Sequence, residues 1–421
     1  MGSKEDVLDD VFNAFLKGSN IFKNREAMRP DYIPSYLPHR EEQIKQLGSI
    51  LAPVLRGFRG SNILIYGQTG TGKTAVIKYI LDRILQKTGE IGTNLNFCYI
   101  NCRLAGTIYR ILAMLCSNIG LDIPFTGLAT TEVLERFKVE LDAKKTLIIA
   151  VLDEIDSLIK LHGDALIYDL IRINENIKNS KISIIGISND LRFKDFLDPR
   201  VLSSLSEEEV VFRPYSAPEL IDILFERSKI SFVSDVLSKG ALNLSAALAA
   251  SEHGDARRAL DLLRVAAEIT ERAGEPKIEE VHVRKAQKKI EHDRVSFFLK
   301  VLPLHSKIIL CGIYLIKKGN LDNAITGEIY DVYQELCGYL GVTPLTQRRV
   351  SSLINELDIN GILNTKLVSL GRYGRTRKIR LDISLSVIKE TYSDDPLTLQ
   401  LMNYSLKQFT GKKLFKNKDD Y

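Results

Sequence analysis

The sequence has few of the features that mark membrane, secreted or metal-framework proteins. It lacks tryptophan, which excludes nothing by itself, and its five cysteines lie mostly in apolar segments without CxxC spacing. We therefore expect reduced core cysteines, and neither a zinc nor a disulfide framework. No apolar run approaches the ~20 residues that span a bilayer, and the first ten residues are charged and unlike a secretory signal. We expect a cytoplasmic protein with no membrane partner.

Length and charge narrow the possibilities further. A chain of 421 residues, 45% hydrophobic and 26% charged, has room for two or three globular domains. The formal net charge of +5 is too small to indicate a nucleic-acid partner. Its distribution is more informative, because Thr346 to Arg380 holds eight basic and two acidic residues, a local charge of +6. This basic segment favours DNA contact in the C-terminal part of the chain.

A strand, a glycine-rich loop and a helix pattern follow one another around Asn62 to Thr74. Residues 63–66 predict a buried strand, and GxxxxGKT comes directly after it. Glycines let successive N–H groups turn toward phosphate oxygens, Lys73 reaches the terminal phosphates, and the Thr74 hydroxyl can bind Mg²⁺. The motif predicts a nucleoside triphosphate site. Its predicted cofactor-binding residues are Gly67, Thr69, Gly70, Thr71, Gly72, Lys73, Thr74 and Ala75.

Two interpretations remain open for the segment ahead of this loop. Prolines 34 and 38 break the chain, and a helix pattern starts near His39. The segment is either a lid over the base of the nucleotide or an N-terminal strap that packs on the core.

Polar residues follow two later apolar strands. In TLIIAVLDEID, Asp153 can hold the Mg²⁺ shell and Glu154 can orient and polarise an attacking water. Asp156 is expected to cap the next helix. Asn189 follows the strand KISIIGIS, where it can position the water or contact a phosphate, or else simply form a turn. We take Asp153, with Thr74, as the predicted metal site.

The order of strand and helix patterns predicts the architecture. Strands and helices alternate as far as Phe212, which indicates a parallel sheet with both faces covered, and an all-helical block follows. The fold class is therefore α/β, a P-loop core with a parallel sheet, a small helical lid and a C-terminal winged helix. The predicted domains are an N-terminal extension (1–30), a nucleotide-binding core (31–213), a helical lid (214–298), a winged-helix domain (299–395) and a tail (396–421).

The C-terminal pattern of three helices and a β-hairpin is typical of a winged helix. Its third helix presents polar and basic residues near its N-terminal end, and the hairpin turn GRYGRTRKIR carries a tyrosine between arginines. Some winged helices bind protein instead, but the local charge of +6 favours DNA. The predicted DNA-binding residues are Thr346, Gln347, Arg348, Arg349, Ser351, Arg372, Tyr373 and Arg375.

Six motifs in a fixed order give the chain a family likeness. They are GQTGTGKT, VLDEID, GISND, LDPRVLSSL, FRPYSAPEL and HGDARRAL, ahead of a winged helix. This series resembles AAA+ ATPases of the initiator clade, and most closely the archaeal origin recognition and helicase-loader family, which is related to the largest subunit of the eukaryotic origin recognition complex. The likeness covers about residues 30–395.

The resemblance implies roles for individual residues. Asn189 would be sensor 1, Arg257 the sensor-2 contact to the γ-phosphate, and Arg200 an arginine finger that acts on a neighbouring subunit. Tyr215 and Arg227 would lie against the nucleotide at the lid hinge. The implied catalytic set is Lys73, Asp153, Glu154, Asn189 and Arg200. Arg258, one residue beyond Arg257, is expected to point elsewhere on its helix. The resemblance also implies DNA contacts in a helical insertion, Arg103 to Leu141.

The resemblance further implies a function. The protein would bind ATP or ADP with Mg²⁺, recognise double-stranded origin DNA and recruit the replicative helicase (MCM), with paralogous initiator subunits as further partners. Slow ATP hydrolysis would act as a switch, and the protein would lie on the nucleoid. Two alternatives are a winged-helix P-loop transcriptional regulator or signalling ATPase, and a clamp-loader-like or helicase-like motor whose winged helix binds protein.

Overall fold

The computed structural model describes residues 20–319, 324–369 and 375–406. The chain forms two compact units that divide between Ala286 and Gln287. Within the described part of the chain, no helix is both long and apolar enough to cross a membrane. The five cysteines are free and buried, as predicted.

The first unit is built on a five-stranded parallel sheet. The strands stand in the order β2-β3-β4-β1-β5. The elements in chain order are α1 (Glu41–Leu51), β1 (Ile63–Gly67), α2 (Lys73–Ile91), β2 (Leu95–Asn101), α3 (Cys102–Ala105), α4 (Ile108–Asn118), α5 (Thr130–Lys144), β3 (Leu147–Asp153), α6 (Ile155–His162), α7 (Ala165–Asn176), β4 (Lys181–Ser188), α8 (Pro199–Leu205) and β5 (Glu208–Phe212).

Apolar residues on both faces of each strand explain why helices cover the sheet on both sides. Along β3, Ile148, Ala150 and Leu152 face a core formed with α4 to α7, whereas Ile149 and Val151 face α1 and α2. Alternate residues of a strand point to opposite faces, so a continuous apolar run needs a cover on each. Because the strands are parallel, the carboxyl ends of β1, β3 and β4 lie at one edge of the sheet.

A helical lid completes the first unit. It comprises α9 (Ala217–Ser231), α10 (Lys239–Ser251), α11 (Ala256–Arg272) and the start of α12 (Glu280–Val301), a helix that crosses the boundary between the units. Ser216 and Glu219 form a capping box at α9. The chain near Phe22 pairs with Phe232, and the N–H groups of residues 23 and 24 donate to Ser231 O at 2.8 and 3.0 Å. The N-terminal segment is therefore attached to the lid.

The second unit is a winged helix. Its elements are α13 (Leu304–Lys318), β6 (Ala324–Ile325), α14 (Thr326–Leu340), α15 (Gln347–Ile359), β7 (Leu363–Ser369), β8 (Arg375–Leu381), α16 (Leu385–Ser393) and α17 (Pro396–Met402). The sheet is antiparallel in the order β6-β8-β7. Val350, Leu353 and Leu357 of α15 are buried in its core, so the opposite face of that helix is free to carry polar residues. The predicted fold class is confirmed.

Candidate functional site

A cavity of about 540 Å³ lies at the carboxyl edge of the parallel sheet. This volume falls in the range of small-molecule and cofactor sites. Its walls are the glycine-rich loop, the ends of β2, β3 and β4, and lid residues from α9 and α11. Residues 30–38 form a further wall. A position at the cavity wall is what we expect if this segment covers the base of a nucleotide.

Two glycines of the loop have no substitute in this geometry. Gly70 and Gly72 have φ angles of +71° and +87°, which non-glycine residues rarely adopt. A side chain at Gly70 would collide with the Asp255 carboxylate, and a Cβ at Gly72 would lie 2.8 Å from the Tyr215 hydroxyl. The loop therefore lies close against residues of the lid.

Lys73 begins α2 and is buried under the loop. Its Nζ donates to Gly67 O at 2.8 Å and to Gln68 O at 2.7 Å, and the residue is only 5% exposed. Burial lowers the pKa of the Lys73 ammonium to about 8, with a further contribution from the positive charge of Arg257, while Asp153 opposes the shift. The Lys73 ammonium is thus poorly solvated, and a poorly solvated cation is well suited to bind a phosphate group.

The end of β3 provides oxygen ligands for a hard cation. The Thr74 hydroxyl donates to Asp153 Oδ2 at 2.9 Å, and the Tyr99 hydroxyl donates to the same oxygen. Among the described residues there is no cluster of three or more His, Cys, Asp or Glu side chains that could hold a metal alone. Mg²⁺ usually binds through one or two protein oxygens together with phosphates and waters, so the Thr74 and Asp153 pair fits it.

Glu154 has its carboxylate held from the neighbouring strand. It adopts the left-handed conformation (φ 54°, ψ 42°), and its Oε1 accepts from Asn101 Nδ2 at 3.3 Å. The Arg103 guanidinium lies 3.8 Å from Glu154 Oε2. Neither neighbour was predicted for this site. Asn101 is a polar residue at the end of a core strand. A polar residue after a strand was the signal that predicted Asn189, and the same signal could have predicted Asn101.

Asp156 has a different role from the predicted helix cap. It is the second residue of α6, and the N-cap position belongs to Glu154. Asp156 Oδ1 accepts from the Ser188 hydroxyl at 3.0 Å and from Asn189 N at 3.3 Å. The parallel pairing of β3 and β4 brings their ends together, which makes this cross-strand contact available. Asp156 therefore holds the loop that places Asn189 at the cavity wall.

The lid contributes Arg257 from the first turn of α11 to the cavity wall. Asp255 caps this helix by accepting from Arg257 N at 2.7 Å and Arg258 N at 3.2 Å. The first N–H of the helix, that of Ala256, donates to Gly70 O at 3.1 Å and joins the helix start to the glycine-rich loop. Arg258 forms an ion pair with Glu252 at 3.0 Å, so it points elsewhere, as predicted.

Tyr215 and Arg227 both line the cavity. Arg227 is 5% exposed, and its guanidinium donates from Nη1 to Tyr32 O at 2.8 Å and from Nη2 to Arg29 O at 2.6 Å. Burial lowers its pKa to about 10. Arg227 thus ties α9 to the N-terminal segment, and its predicted contact with a nucleotide stays a prediction.

Arg200 lies apart from the other predicted catalytic residues. Lys73, Asp153, Glu154 and Asn189 line the cavity. Arg200 is exposed in the first turn of α8, where Nε and Nη2 each donate to its neighbour Asp198 at 3.2 Å. An exposed position outside the cavity is compatible with action on a neighbouring subunit, which stays a prediction.

The N-terminal end of α15 presents most of the predicted DNA-binding residues. Thr346 caps the helix, while Gln347, Arg348 and Arg349 are exposed; Ser351 is partly buried. Arg349 lies 3.7 Å from the Glu356 carboxylate, an exposed and therefore weak ion pair. Of the predicted hairpin-turn residues, Arg372 and Tyr373 lie outside the described residues, and Arg375 is the first residue of β8.

Three family models match successive parts of the chain. They are the AAA domain (residues 56–193), the Cdc6 AAA+ ATPase-type lid domain (221–288) and the CDC6, C terminal winged helix domain (298–391). An ORC1-type DNA replication protein of Thermococcus onnurineus is 51% identical over 395 residues, 93% of this chain and 95% of that protein. A second, from Archaeoglobus fulgidus, is 48% identical over 96% of this chain and 97% of that protein. The chain belongs to the ORC1-type DNA replication protein family.

A solved structure agrees with this assignment. The Aeropyrum pernix ORC1 protein in complex with DNA is 46% identical, with a TM-score of 0.82 over 91% of this chain and 100% of that one. The predicted family is thereby confirmed, and as an AAA+ ATPase this ORC1-type protein is a nucleotide-binding protein.

Sequence reasoning missed one buried residue of the ORC1-type site, Arg40. It comes immediately before α1, is 4% exposed, and its Nε donates to Thr71 O in the glycine-rich loop at 2.9 Å. Its partners are backbone carbonyls, which leave no trace in a sequence pattern.

Proposed function

We propose that this ORC1-type protein is an ATP-binding replication initiator that recognises double-stranded origin DNA and helps to load the replicative helicase. One observation carries the proposal. A single cavity brings together the glycine-rich loop, the carboxylates that end β3, Asn189 of the core and Arg257 of the lid. The same chain contains a winged helix, which would bind the DNA.

The cavity residues fit ATP or ADP with Mg²⁺. Lys73 and the N–H groups of residues 69–75 would bind the phosphates, and Thr74 and Asp153 would hold the metal. The metal would neutralise phosphate charge. Tyr215, Arg227 and residues 30–38 lie toward the lid, where they would enclose the base and ribose.

Hydrolysis requires a base, a water-positioning group and a countercharge. Glu154 would accept the proton of the attacking water, Asn189 would orient it, and Arg257 would contact the γ-phosphate. Arg200 would complete the site of a neighbouring subunit. Because Arg200 lies outside its own chain's cavity, hydrolysis by a single chain would be slow, and ATP would act as a switch.

DNA binding is proposed for α15 and the hairpin turn. Arg348 and Arg349 are exposed at the start of α15, and a helix N-terminus with cations suits phosphate and base edges. The A. pernix relative was solved in complex with DNA. Thr346, Gln347 and Ser351 would share this contact, together with Arg372, Tyr373 and Arg375. The insertion 103–141 is proposed as a second contact.

The remaining predictions belong to the same proposal. The replicative helicase (MCM) and paralogous initiator subunits would be partners, and the protein would act on the nucleoid. We propose the domain boundaries predicted from the sequence, with the nucleotide between the core (31–213) and the lid (214–298). Membership in the ORC1-type family favours this function over the regulator and motor alternatives.

The test is footprinting of genomic DNA by the purified protein, with and without ATP. The proposal expects a few discrete protected sites whose occupancy depends on nucleotide, and loss of nucleotide binding in Lys73→Ala. Uniform protection of all duplexes would contradict origin recognition. Unchanged ATP binding by Lys73→Ala would contradict the cavity as the nucleotide site.

A further inference from the structure

Arg40 is a buried cation that is held by main-chain oxygens. Its Nε donates to Thr71 O at 2.9 Å, Nη1 to His39 O at 2.9 Å and Nη2 to Arg213 O at 2.7 Å. Within the described part of the chain, no carboxylate lies at ion-pair distance from it. Each guanidinium nitrogen thus donates to one carbonyl, and these bonds join three segments: the start of α1, the glycine-rich loop and the residue that follows β5.

Aromatic rings cover the faces of this guanidinium. Its central carbon lies 3.8 Å from the centre of the Tyr215 ring and 5.5 Å from that of Phe212. Burial lowers the pKa of Arg40, while Tyr215 opposes the shift. Arginine stays charged in proteins even so, and its planar fork is suited to several fixed acceptors at once. Burying a cation costs free energy, and an apolar side chain could fill the same space without that cost. We therefore look for a role that requires the Arg40 guanidinium itself.

The contact with Thr71 determines the direction of a neighbouring N–H group. A peptide bond is planar and trans, so its C=O and N–H point in opposite directions. Because Thr71 O points toward Arg40, the Gly72 N–H of the same peptide points away from Arg40. Gly72 is part of the cavity wall. A charged donor on the carbonyl also polarises the peptide and strengthens its N–H as a donor.

We infer that Arg40 is a positioning residue for phosphate binding, which holds the Thr71–Gly72 peptide with its N–H directed at the nucleotide phosphates. This inference rests on the proposed function, because it takes the cavity as the nucleotide site. Arg40 does not touch the nucleotide in this role. It acts through the peptide, and its bond to Arg213 O ties the same peptide to the chain that leads into the lid.

The test compares ligands with and without phosphates. Binding of ADP and of adenosine is measured by calorimetry and competition for wild type, Arg40→Met, which removes charge and donors, and Arg40→Lys, which keeps the charge. We expect Arg40→Met to bind ADP about tenfold more weakly or worse, because a charge-assisted interaction is lost. The loss for adenosine should be much smaller, because adenosine has no phosphate and senses only the contact of Arg40 with Tyr215. Arg40→Lys should fall between Arg40→Met and wild type. Arg264→Met is the control, since Arg264 is a half-buried arginine of α11 paired with Asp261 and Glu268.

The outcomes separate the inference from the function on which it rests. ADP affinity at the wild-type level in both Arg40 variants would overturn the inference alone. An equal loss for ADP and adenosine would also overturn it, because a merely structural role weakens both ligands. Failure of the wild-type protein to bind ADP would overturn the proposed function, and the inference with it. Titrations are run well below the thermal midpoint of each variant, and Arg40→Lys provides the test if Arg40→Met is unstable.

Discussion

At the residue scale, Lys73 shows how its surroundings change the charge of a side chain. Its pKa is lowered to about 8, mainly by burial. Between this value and its ordinary value of 10.5 the unfolded chain binds more protons than the folded one, so stability rises with pH in that window. Phosphate binding follows the opposite trend, because it needs the charged ammonium.

We therefore predict that ADP affinity falls as pH rises from about 7 to about 9.5, by no more than about tenfold per pH unit above the Lys73 pKa. Calorimetric titration at several pH values measures the trend. Lys73→Arg is the matched control, because its guanidinium stays charged and its affinity should not follow this curve. The same slope in both proteins would assign the pH dependence to another group.

Glu154 permits a second prediction at this scale. Glu154→Gln keeps the shape and the contact with Asn101 but removes the base, so we expect ATP binding near the wild-type level and hydrolysis lowered by about 100-fold or more. Radiolabelled phosphate release and ATP titration measure the two quantities. Glu135→Gln, an exposed glutamate on α5, is the control. Wild-type turnover in Glu154→Gln would assign the role of base to another residue.

At the scale of elements, α15 presents its charge at one end. We predict that reversing Arg348 and Arg349 to Glu weakens duplex binding and lowers the slope of log affinity against log salt by about 2, because two phosphate contacts are lost. Lys318→Glu with Lys389→Glu changes the net charge equally at exposed residues elsewhere in the unit. If both double variants lose the same affinity, net charge rather than α15 determines binding.

The N-terminal segment supports a second prediction for an element. Arg227 of α9 bonds to Arg29 O and Tyr32 O, and this segment continues into residues 30–38 of the cavity wall. We predict that Arg227→Met accelerates amide hydrogen exchange across residues 29–38 and weakens adenosine binding. Mass-spectrometric exchange measures the first effect. Arg258→Met, which removes a lid arginine that pairs with Glu252, is the control. Unchanged exchange in Arg227→Met would show that the segment is held by other contacts.

At the scale of the whole molecule, the arginine finger that we propose at Arg200 would make the hydrolytic site a shared one between subunits. Arg200 is exposed and pairs with its own Asp198, whereas the proposed base lines the cavity of the same chain. We predict that Glu154→Gln and Arg200→Ala are each defective in hydrolysis alone and recover part of the activity when mixed. At one kind of mixed interface, the Arg200→Ala chain supplies an intact Glu154 and the Glu154→Gln chain supplies an intact Arg200. A mixture no more active than its components would contradict a finger acting between chains.

Much of the fold could be predicted from the sequence because its signals are local. The strand at 63–66, the loop and the helix behind it are contiguous, and all of the predicted loop residues from Thr69 to Ala75 line the cavity. The winged helix could also be predicted, because the periodicity of its helices and the hairpin pattern are local in the sequence. The error over Asp156 arose because an acidic residue after a strand has the same local signature whether it caps a helix or bonds the next strand.

The sequence by itself determined the order of elements, the glycine-rich loop and the type of DNA-binding domain, since each depends on residues that are neighbours in the chain. Only the tertiary structure decided which contacts Asn101, Arg40 and Asp255 make near the cavity, and that residues 30–38 form one of its walls. These contacts join segments far apart in sequence, and Arg40 bonds to backbone carbonyls that every residue carries. Which carbonyl accepts such a hydrogen bond depends on the path of the folded backbone, and not on the side chain of the accepting residue.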